Sequence, residues 1–234
     1  MKASKMVVAA VGVLLAYAAM GRDDQVWFMG TVEGHPFKDE EAGAWKPTVL
    51  KYEQEVRYDN SRLIDEESLL LIGYEFSPYL SIHVGDRYVR ERKSSGEGKM
   101  RVENRPTFDV CLSAPEFWKL KFDYRSRFEL RQKSGSEDYV CYRERLRLRT
   151  SWNVTDFQFS PYASEELFFE DKPHQSNGNA FDRSRSQVGL SFLPVPSVKG
   201  LSCNLYFMVQ HDNSHRPDKW DPTNVYGFEI TYKF

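Results

Sequence analysis

Arginine occupies every second position of the segment YRERLRLRTSW, residues 142–152, as Arg143, Arg145, Arg147 and Arg149. Apolar and aromatic residues fill most of the positions between them. Because successive side chains of a β-strand point to opposite faces, the pattern predicts a strand with one charged face and one apolar face. A register shift of one residue would turn all these charges toward the apolar side, so the segment tolerates only one orientation.

The same alternation recurs along the rest of the chain. It predicts ten strands, within VLKYEQEVRY (49–58), LLIGYEF (70–76), YLSIHVGDRY (79–88), RPTFDVCL (105–112), WKLKFDYRSRFELR (118–131), the arginine segment (142–152), FQFSPYASEELFF (157–169), RSRSQVGLSF (183–192), LSCNLYFMV (201–209) and VYGFEITYKF (225–234). From residue 22 onward no window of 18 residues is continuously apolar, so the sequence gives no transmembrane helix. We therefore predict an all-β fold.

The connections between these segments alternate in length. Short connections fall near 77–79, 113–117 and 153–156, and longer polar ones near 59–65, 93–100, 171–180 and 212–222. Short turns on one side, longer loops on the other and an even number of strands are typical of outer-membrane barrels. We predict a single antiparallel transmembrane β-barrel of about ten strands, with twelve as the alternative.

A secreted soluble barrel or sandwich would show the same alternation, because either face of a strand can point inward. The predicted strands are long enough to cross a bilayer when tilted. Aromatic residues make up 15% of the chain although its mean hydropathy is −0.60. A continuous, aromatic-rich apolar face on most strands favours the membrane barrel.

The beginning of the chain predicts export. Lys2 and Lys5 precede the apolar stretch 6–20, which is short for a membrane-spanning helix, so residues 1–21 are interpreted as a cleaved signal peptide. Residues 22–44 are less regular and are interpreted as an extra strand, a periplasmic segment or a piece inside the lumen. The barrel itself is predicted to span residues 45–234.

Charge and cysteine content exclude several functional classes. The net charge of −2 gives no general basic signal for nucleic acid. Cys111, Cys141 and Cys203 are odd in number and lack metal-ligand spacing, so we predict neither a disulfide framework nor a metal site. Cys111 is expected near a short turn and Cys141 near a long loop, and we expect the two thiols to stay unbridged.

Several segments of the second half resemble a known family. These are RERLRLR (143–149), SPYASEELFF (160–169), DRSRSQVGLSF (182–192) and NVYGFEITYKF (224–234). Their order and spacing are similar to those of the bacterial outer-membrane β-barrel family known as domain of unknown function 2490. The resemblance covers about residues 27–234. It implies an exported barrel and no activity, and the insertion 34–44 departs from the short turn expected there.

If the apolar face meets lipid, the charged face lines the lumen. The residues predicted there are Arg57, Arg87, Arg105, Arg125, Arg127, Arg143, Arg145, Arg147, Arg149, Arg183, Arg185, Glu53, Glu55, Glu129 and Glu166. For Arg147 the expected acidic partners on flanking strands are Asp123, Glu129 and Glu166. A barrel of about ten strands is narrow, so its side chains either fill the lumen as an ion-pair network or leave a narrow path for small anions.

A catalytic alternative rests on the segment HDNSHRPD, residues 211–218. It contains His211, Asp212, Ser214, His215 and Asp218, the residue types of a surface-facing hydrolase. An outer-membrane lipid hydrolase would carry serine two residues after the histidine, where this chain has Asn213. We therefore predict no enzyme, no catalytic residue, no bound metal and no cofactor, and keep the hydrolase as the alternative.

The predicted function is that of a structural envelope barrel or a narrow, anion-preferring passive channel in the bacterial outer membrane. The expected partners are outer-membrane lipid, small ions or solutes and the barrel-assembly machinery. The assembly machinery is expected to recognise the C-terminal strand that ends in Phe234.

Overall fold

The computed structural model describes residues 24–36, 48–59, 62–92, 100–133, 139–152, 159–171, 181–194, 198–213 and 220–234. These residues form eleven strands, which are β1 (Gln25–Gly34), β2 (Thr48–Asp59), β3 (Arg62–Ser77), β4 (Leu80–Arg92), β5 (Met100–Ser113), β6 (Leu120–Lys133), β7 (Tyr139–Trp152), β8 (Phe159–Asp171), β9 (Phe181–Phe192), β10 (Leu201–Asn213) and β11 (Trp220–Lys233). Across the described ranges, no helix has the length and apolar character needed to span a membrane.

The strands close into a single barrel in the order β1-β11-β10-β9-β8-β7-β6-β5-β4-β3-β2. Strands that are consecutive in sequence pair antiparallel, so with an odd number of strands the first and last run in the same direction. β1 and β11 accordingly pair in parallel, from Gln25 opposite Val225 to Glu33 opposite Lys233. The all-β barrel is confirmed, and its eleven strands lie between the predicted ten and twelve.

The ten predicted segments correspond to β2–β11, and β1 is the additional strand. Gln25–Gly34 completes the wall between β2 and β11, so the barrel begins at Gln25 rather than at residue 45. Of the three interpretations of residues 22–44, the structure shows the extra strand for Gln25–Gly34. Residues 37–47 and the predicted signal peptide lie outside the described residues, and the signal peptide stays a prediction.

The two ends of the barrel differ in their connections. Five connections, 35–47, 78–79, 114–119, 153–158 and 193–200, lie at the end that also carries Phe234, which we call the turn end. The opposite end, the loop end, carries 60–61, 93–99, 134–138, 172–180 and 214–219.

The long connection predicted near 59–65 is wrong, because β2 continues to Asp59 and β3 starts at Arg62. The polar residues in this region suggested a loop. They instead belong to strands with a charged inner face, where Asp65 accepts a hydrogen bond from Arg57 Nη1 at 2.6 Å. A register irregularity between Arg57 and Tyr58 accommodates the tight connection.

The polarity of the barrel is inverted relative to a soluble protein. In β3, Leu70 and Ile72 are 50% and 55% exposed on the outer wall, whereas Leu69 is 2% exposed inside. Every strand contributes to this apolar belt, whose exposed members are Val32, Leu50, Tyr52, Leu70, Ile72, Tyr74, Phe76, Val84, Tyr88, Phe108, Leu112, Phe122, Phe128, Leu148, Trp152, Phe159, Val188, Leu190, Phe207, Ile230 and Tyr232. A continuous apolar belt of this extent is typical of a membrane-facing surface.

Two inward glycines set the position of aromatic rings in the lumen wall. Tyr206 lies opposite Gly227, and a Cβ added at this glycine would lie 1.8 Å from the tyrosine Cζ. Tyr162 packs in the same way over Gly189, where an added Cβ would lie 2.5 Å from the ring. Glycine at these positions lets the rings lie flat along the wall and leaves the middle of the lumen to charged side chains.

Candidate functional site in the barrel lumen

Buried charges fill the loop-end half and the middle of the lumen. Each of these residues is at most 8% exposed, and we call the whole set the ion-pair layer. Its members are Arg57, Asp65, Glu67, Arg87, Glu103, Arg105, Glu129, Arg131, Arg143, Arg145, Glu166, Glu170 and Arg185. Burial of so many charges is tolerated only when opposite charges alternate and the hydrogen bonds between them are made.

Glu67 on β3 is one centre of the layer. It contacts Arg87, lies 2.8 Å from Arg57 Nη2, and lies 3.9 Å from Arg105 Nη1. These arginines come from three different strands, and the strand register brings them to one level of the barrel. A single carboxylate therefore lies close to arginines from three strands, β2, β4 and β5.

Arg145 is the corresponding centre on the other side. Its two terminal nitrogens lie 3.0 Å from Glu129 Oε1 and 3.1 Å from Glu166 Oε1. Glu166 is shared further, with Arg125 at 2.9 Å and Arg185 at 3.5 Å. The layer thus runs as alternating charges across β6, β7, β8 and β9.

The rim of the layer toward the loop end is also paired. Glu170 accepts hydrogen bonds from Arg143 Nε at 2.9 Å and Arg131 Nη1 at 2.6 Å. Arg131 reaches Glu103 as well, with Nε at 2.5 Å from its Oε1. These contacts join β5 to β8 through Arg131.

Two aromatic side chains lie within the charged layer. The Arg57 and Arg185 guanidinium carbons lie 4.1 Å and 4.7 Å from the Trp27 ring centroid. Arg185 and Arg145 also approach Phe168, at 4.7 Å and 4.8 Å. Each ring face attracts the cations electrostatically and also shields them from water.

The turn-end half of the lumen is open. A chamber of about 360 Å³ extends from Trp27 to the rim at Glu33 and Lys233. Nine basic and five acidic side chains line it, namely Lys51, Arg87, Arg125, Arg127, Arg145, Arg147, Arg149, Arg185, Lys233, Glu33, Glu53, Glu55, Glu166 and Glu229. The lining therefore has four more basic than acidic side chains. Of the basic ones, Arg127, Arg87 and Arg145 also pair with carboxylates behind the lining.

A second cavity of about 460 Å³ adjoins the chamber at the turn end. The two cavities share Arg125, Arg147, Arg149 and Ser191 in their linings. Arg149 donates a hydrogen bond to Ser191 Oγ at 3.1 Å, and its guanidinium lies 3.8 Å from the ring centroid of Tyr162. These shared side chains form the partition between the two spaces.

Arg147 differs from the other charges of the lumen. It lies opposite Arg125 on β6 and Glu166 on β8. Within the described part of the chain it makes no ion pair, since Glu166 is engaged by Arg125, Arg145 and Arg185. The expected pairing of Arg147 with a flanking carboxylate is therefore wrong.

The structure places all the residues predicted to line the lumen on the inner face. Two of those outside the layer and the partition pair with nearby side chains: Arg127 binds both oxygens of Asp109 at 2.6 Å, and Glu55 Oε1 lies 2.6 Å from Arg57 Nε. Lys51 lies 2.7 Å from Glu53.

Sequence reasoning missed part of the layer. Glu67, Glu103 and Glu170 lie on the inner face in phase with predicted residues, so continuing the alternation to the strand ends would have found them. Trp27 and Phe168 carried no such signal, because an apolar residue in alternation is assigned to the lipid side.

The hydrolase residues do not converge in the described part of the loop. His211 and Asp212 are successive residues of β10 and point to opposite faces of the wall. Asp212 contacts Arg183 and accepts a hydrogen bond from Gln210 Nε2 at 2.7 Å. Ser214, His215 and Asp218 lie outside the described residues.

A group of potential metal ligands lies near the turn end. The ligand atoms of His83, Asp109 and Cys111 are within 4.8 Å of one another, and Cys111 Sγ is 3.9 Å from His83 Nδ1. Both Asp109 oxygens, however, accept hydrogen bonds from Arg127. A metal ion would have to displace this bidentate pair, so the arrangement does not offer three free ligands.

The cysteine expectation is met where the structure describes it, because Cys111 and Cys203 are free thiols. In the register of β6, Cys111 lies opposite Arg125 and Cys141 opposite Arg131. Six residues of strand separate these positions by about 20 Å, too far for a disulfide.

One protein family matches the chain over residues 24–221 and is described as "Protein of unknown function (DUF2490)". The chain belongs to this family. The DUF2490 match runs from the residue before β1 to the beginning of β11, so it covers nearly the whole barrel. A comparison with curated proteins finds no significant match.

Two solved structures are similar to this DUF2490 protein. The NanC porin has a TM-score of 0.49 and 10% identity, and the alignment covers 89% of this chain and 99% of that one. Outer-membrane expressed OmpT of Vibrio cholerae has a TM-score of 0.41 and 12% identity, with coverage of 70% and 55%. Both likenesses are distant.

Proposed function

We propose that this DUF2490 protein spans the bacterial outer membrane and provides a narrow, anion-preferring passage. The observation that carries the proposal is the chamber, whose wall has nine basic and five acidic side chains and reaches the turn end. Fixed charge on a narrow aqueous wall sets the sign of the ions that enter. The excess here favours anions.

The membrane location is supported by the inverted polarity of the wall. Leu148 is 51% exposed on the outside of β7, while the neighbouring Arg145 is 6% exposed inside. Turning one arginine outward at the bilayer midplane would cost about 2–4 kcal/mol, so a lipid environment and this side-chain arrangement support each other.

The ion-pair layer restricts the passage toward the loop end. An anion leaving the chamber meets Glu67, Glu129 and Glu166, each already bound to arginines. It can proceed only by displacing these carboxylates from the arginines that bind them. We therefore expect low conductance and passage of small anions only.

A closed structural barrel is the second candidate. It is favoured by the burial of the lumen charges. Glu129 in the layer and Arg127 beside the layer are each 1% exposed. If the layer does not exchange its partners, the protein stiffens the membrane wall and conducts nothing. The same recording distinguishes the two candidates.

The experiment is a planar-bilayer recording of the purified barrel across a potassium chloride gradient. The passage predicts small channels whose reversal potential shows preference for chloride, reduced in Arg147→Gln. Arg90→Gln is the matched control, because Arg90 lies on the outer wall and pairs with Glu66 at 3.2 Å. Cation preference contradicts the passage, and a silent bilayer with correctly folded protein supports the closed barrel.

A further inference from the structure

We propose that Arg125, Arg147 and Arg149, with Ser191, form a binding site for one small oxyanion at the turn end of the lumen. This arginine cluster deepens the proposed function, on which it rests for its solute class. Oxyanion here means a carboxylate, phosphate or sulfate group. Binding by the cluster does not require that the anion cross the barrel.

The first observation is a concentration of like charge. Arg125 and Arg147 are direct neighbours across β6 and β7, and Arg149 follows two residues later on the same face. Side chains opposite each other on neighbouring strands are close enough to interact, and like charges in such positions are destabilising. An arrangement that brings three guanidinium groups together requires a negative charge between them.

The second observation is that the protein does not supply enough of that charge. Arg125 reaches Glu166, which is shared with Arg145 and Arg185, and Arg147 has no ion pair within the described ranges. Within the described ranges, the partners of Arg149 are the neutral Ser191 hydroxyl and the face of the Tyr162 ring. The nearby carboxylate of Asp123 lies 3.2 Å from Lys121 and accepts a hydrogen bond from Ser113.

The third observation is an unused donor in a buried position. Arg125 is 9% exposed, and its Nε has no hydrogen-bond partner among the residues that the structure describes. Buried polar groups are nearly always satisfied, so an unpaired guanidinium nitrogen beside a cavity indicates a missing acceptor. Both cavities at the turn end touch this side chain and therefore provide the space for that acceptor.

The neutral partners of the cluster are held in place. Ser191 Oγ donates to Asn204 Oδ1 at 2.5 Å, and Asn204 Nδ2 donates to Glu229 Oε2 at 2.8 Å. This chain of hydrogen bonds directs the serine oxygen toward Arg149 as an acceptor. It fixes one guanidinium before any ligand binds, which lowers the entropy cost of binding.

The chemistry of the cluster selects its ligand. Guanidinium groups present paired donors that match two oxygens of one carboxylate, phosphate or sulfate, whereas a halide offers a single centre. The site therefore distinguishes oxyanions from chloride at equal ionic strength. That distinction separates a binding site from general attraction by positive charge.

Cys111 provides a natural reporter because it is a free thiol that lines the second cavity beside all three arginines. The folded barrel in detergent is treated with a negatively charged methanethiosulfonate or with its positively charged counterpart. The thiolate forms a mixed disulfide and methanesulfinate leaves. Cys111→Ser subtracts labelling of other cysteines. We expect the anionic reagent to label Cys111 about tenfold faster, as electrostatic steering permits.

The deciding measurement is protection of Cys111. Sodium phosphate, sodium sulfate and sodium acetate are compared with sodium chloride at equal ionic strength. We expect the oxyanions to slow labelling more than chloride does, and Arg147→Gln to abolish the difference while Arg90→Gln preserves it. Calorimetric titration with phosphate should show the same loss, at least about tenfold in Kd. The relative strength of acetate and phosphate identifies the preferred group.

The outcomes separate this site from the passage. Equal slowing by chloride and phosphate overturns the site, because screening alone then explains the effect. Oxyanion protection in a barrel that conducts nothing supports the site and rejects the passage. Anion conduction without protection or calorimetric binding rejects the site and keeps the passage. Since Arg147 makes no ion pair in the described part of the barrel, Arg147→Gln should fold normally, and its gel mobility before and after heating checks this.

Discussion

Arg185 and Trp27 meet across the lumen, with the guanidinium carbon 4.7 Å from the indole centroid. The strands that carry them, β9 and β1, are separated in the wall by β10 and β11. The interior is therefore held together by contacts between non-neighbouring strands in addition to the hydrogen bonds of the wall. Arg57 approaches the same ring at 4.1 Å, so the indole lies between two cations.

Trp27→Ala should destabilise the barrel by about 3–5 kcal/mol, because it removes a buried ring against which Arg57 and Arg185 pack. The measurement is denaturant unfolding of the barrel in lipid vesicles. Phe28→Ala is the control from the outer face of the same strand, where lipid chains replace the lost contacts. Equal losses in the two variants would show that the ring contributes no more inside than outside.

Glu67→Gln should cost about 3–5 kcal/mol, because a buried carboxylate that serves several arginines is replaced by a neutral group. The adjacent Glu66→Gln makes the same change on the outer face, where the exposed pair with Arg90 contributes about 0–1 kcal/mol. Resistance of the folded band to heating in detergent gels gives the comparison. If both variants lose stability equally, Glu67 is not a centre of the layer.

Leu148→Arg should impair membrane insertion, because it places a charge in hydrocarbon at a cost of about 2–4 kcal/mol. Arg147→Leu, one residue away on the inner face, should insert normally because Arg147 makes no ion pair within the described residues. Folding into vesicles of matched composition is followed by the gel shift on heating. Normal insertion of Leu148→Arg together with failure of Arg147→Leu would reverse the assignment of the two faces.

The mature protein should begin near Ala19 or Arg22 and fractionate with the outer membrane. The signal-like start and the apolar belt both lead to this expectation. N-terminal sequencing of the membrane-extracted chain gives the cleavage site. Recovery of a soluble periplasmic monomer would exclude the membrane barrel.

The sequence determines the two faces of the wall because lipid and lumen impose opposite requirements on alternate residues. The four arginines of residues 142–152 could therefore be assigned to the inner face from their spacing of two residues alone. The structure places Arg143, Arg145, Arg147 and Arg149 on that face. The partners of those arginines could not be predicted. They depend on register and side-chain reach between flanking strands, as when Arg145 pairs with Glu129 on β6 and Glu166 on β8, whereas Arg147 pairs with neither.

Two other features could not be assigned from the sequence alone, for physical reasons. Trp27 and Phe168 break the rule that apolar side chains face lipid, because arginines can pack on their ring faces inside. β1 remained one of three interpretations of residues 22–44, because Gly30 and Gly34 weaken its alternation and a long segment separates it from β2. Its assignment depends on pairing with β11, which is distant in sequence.

The direction of β1 has a consequence for assembly. β2 and β11 run antiparallel to each other, and their outward residues Val56 and Phe228 both lie opposite Phe28. A chain without β1 would thus leave two edges with matching direction and matching faces, able to close as an ordinary ten-stranded barrel. Parallel pairing is slightly weaker per residue than antiparallel pairing, so the β1–β11 junction is where the wall separates most readily. Lateral opening toward the bilayer and the last step of strand insertion should both occur at this junction.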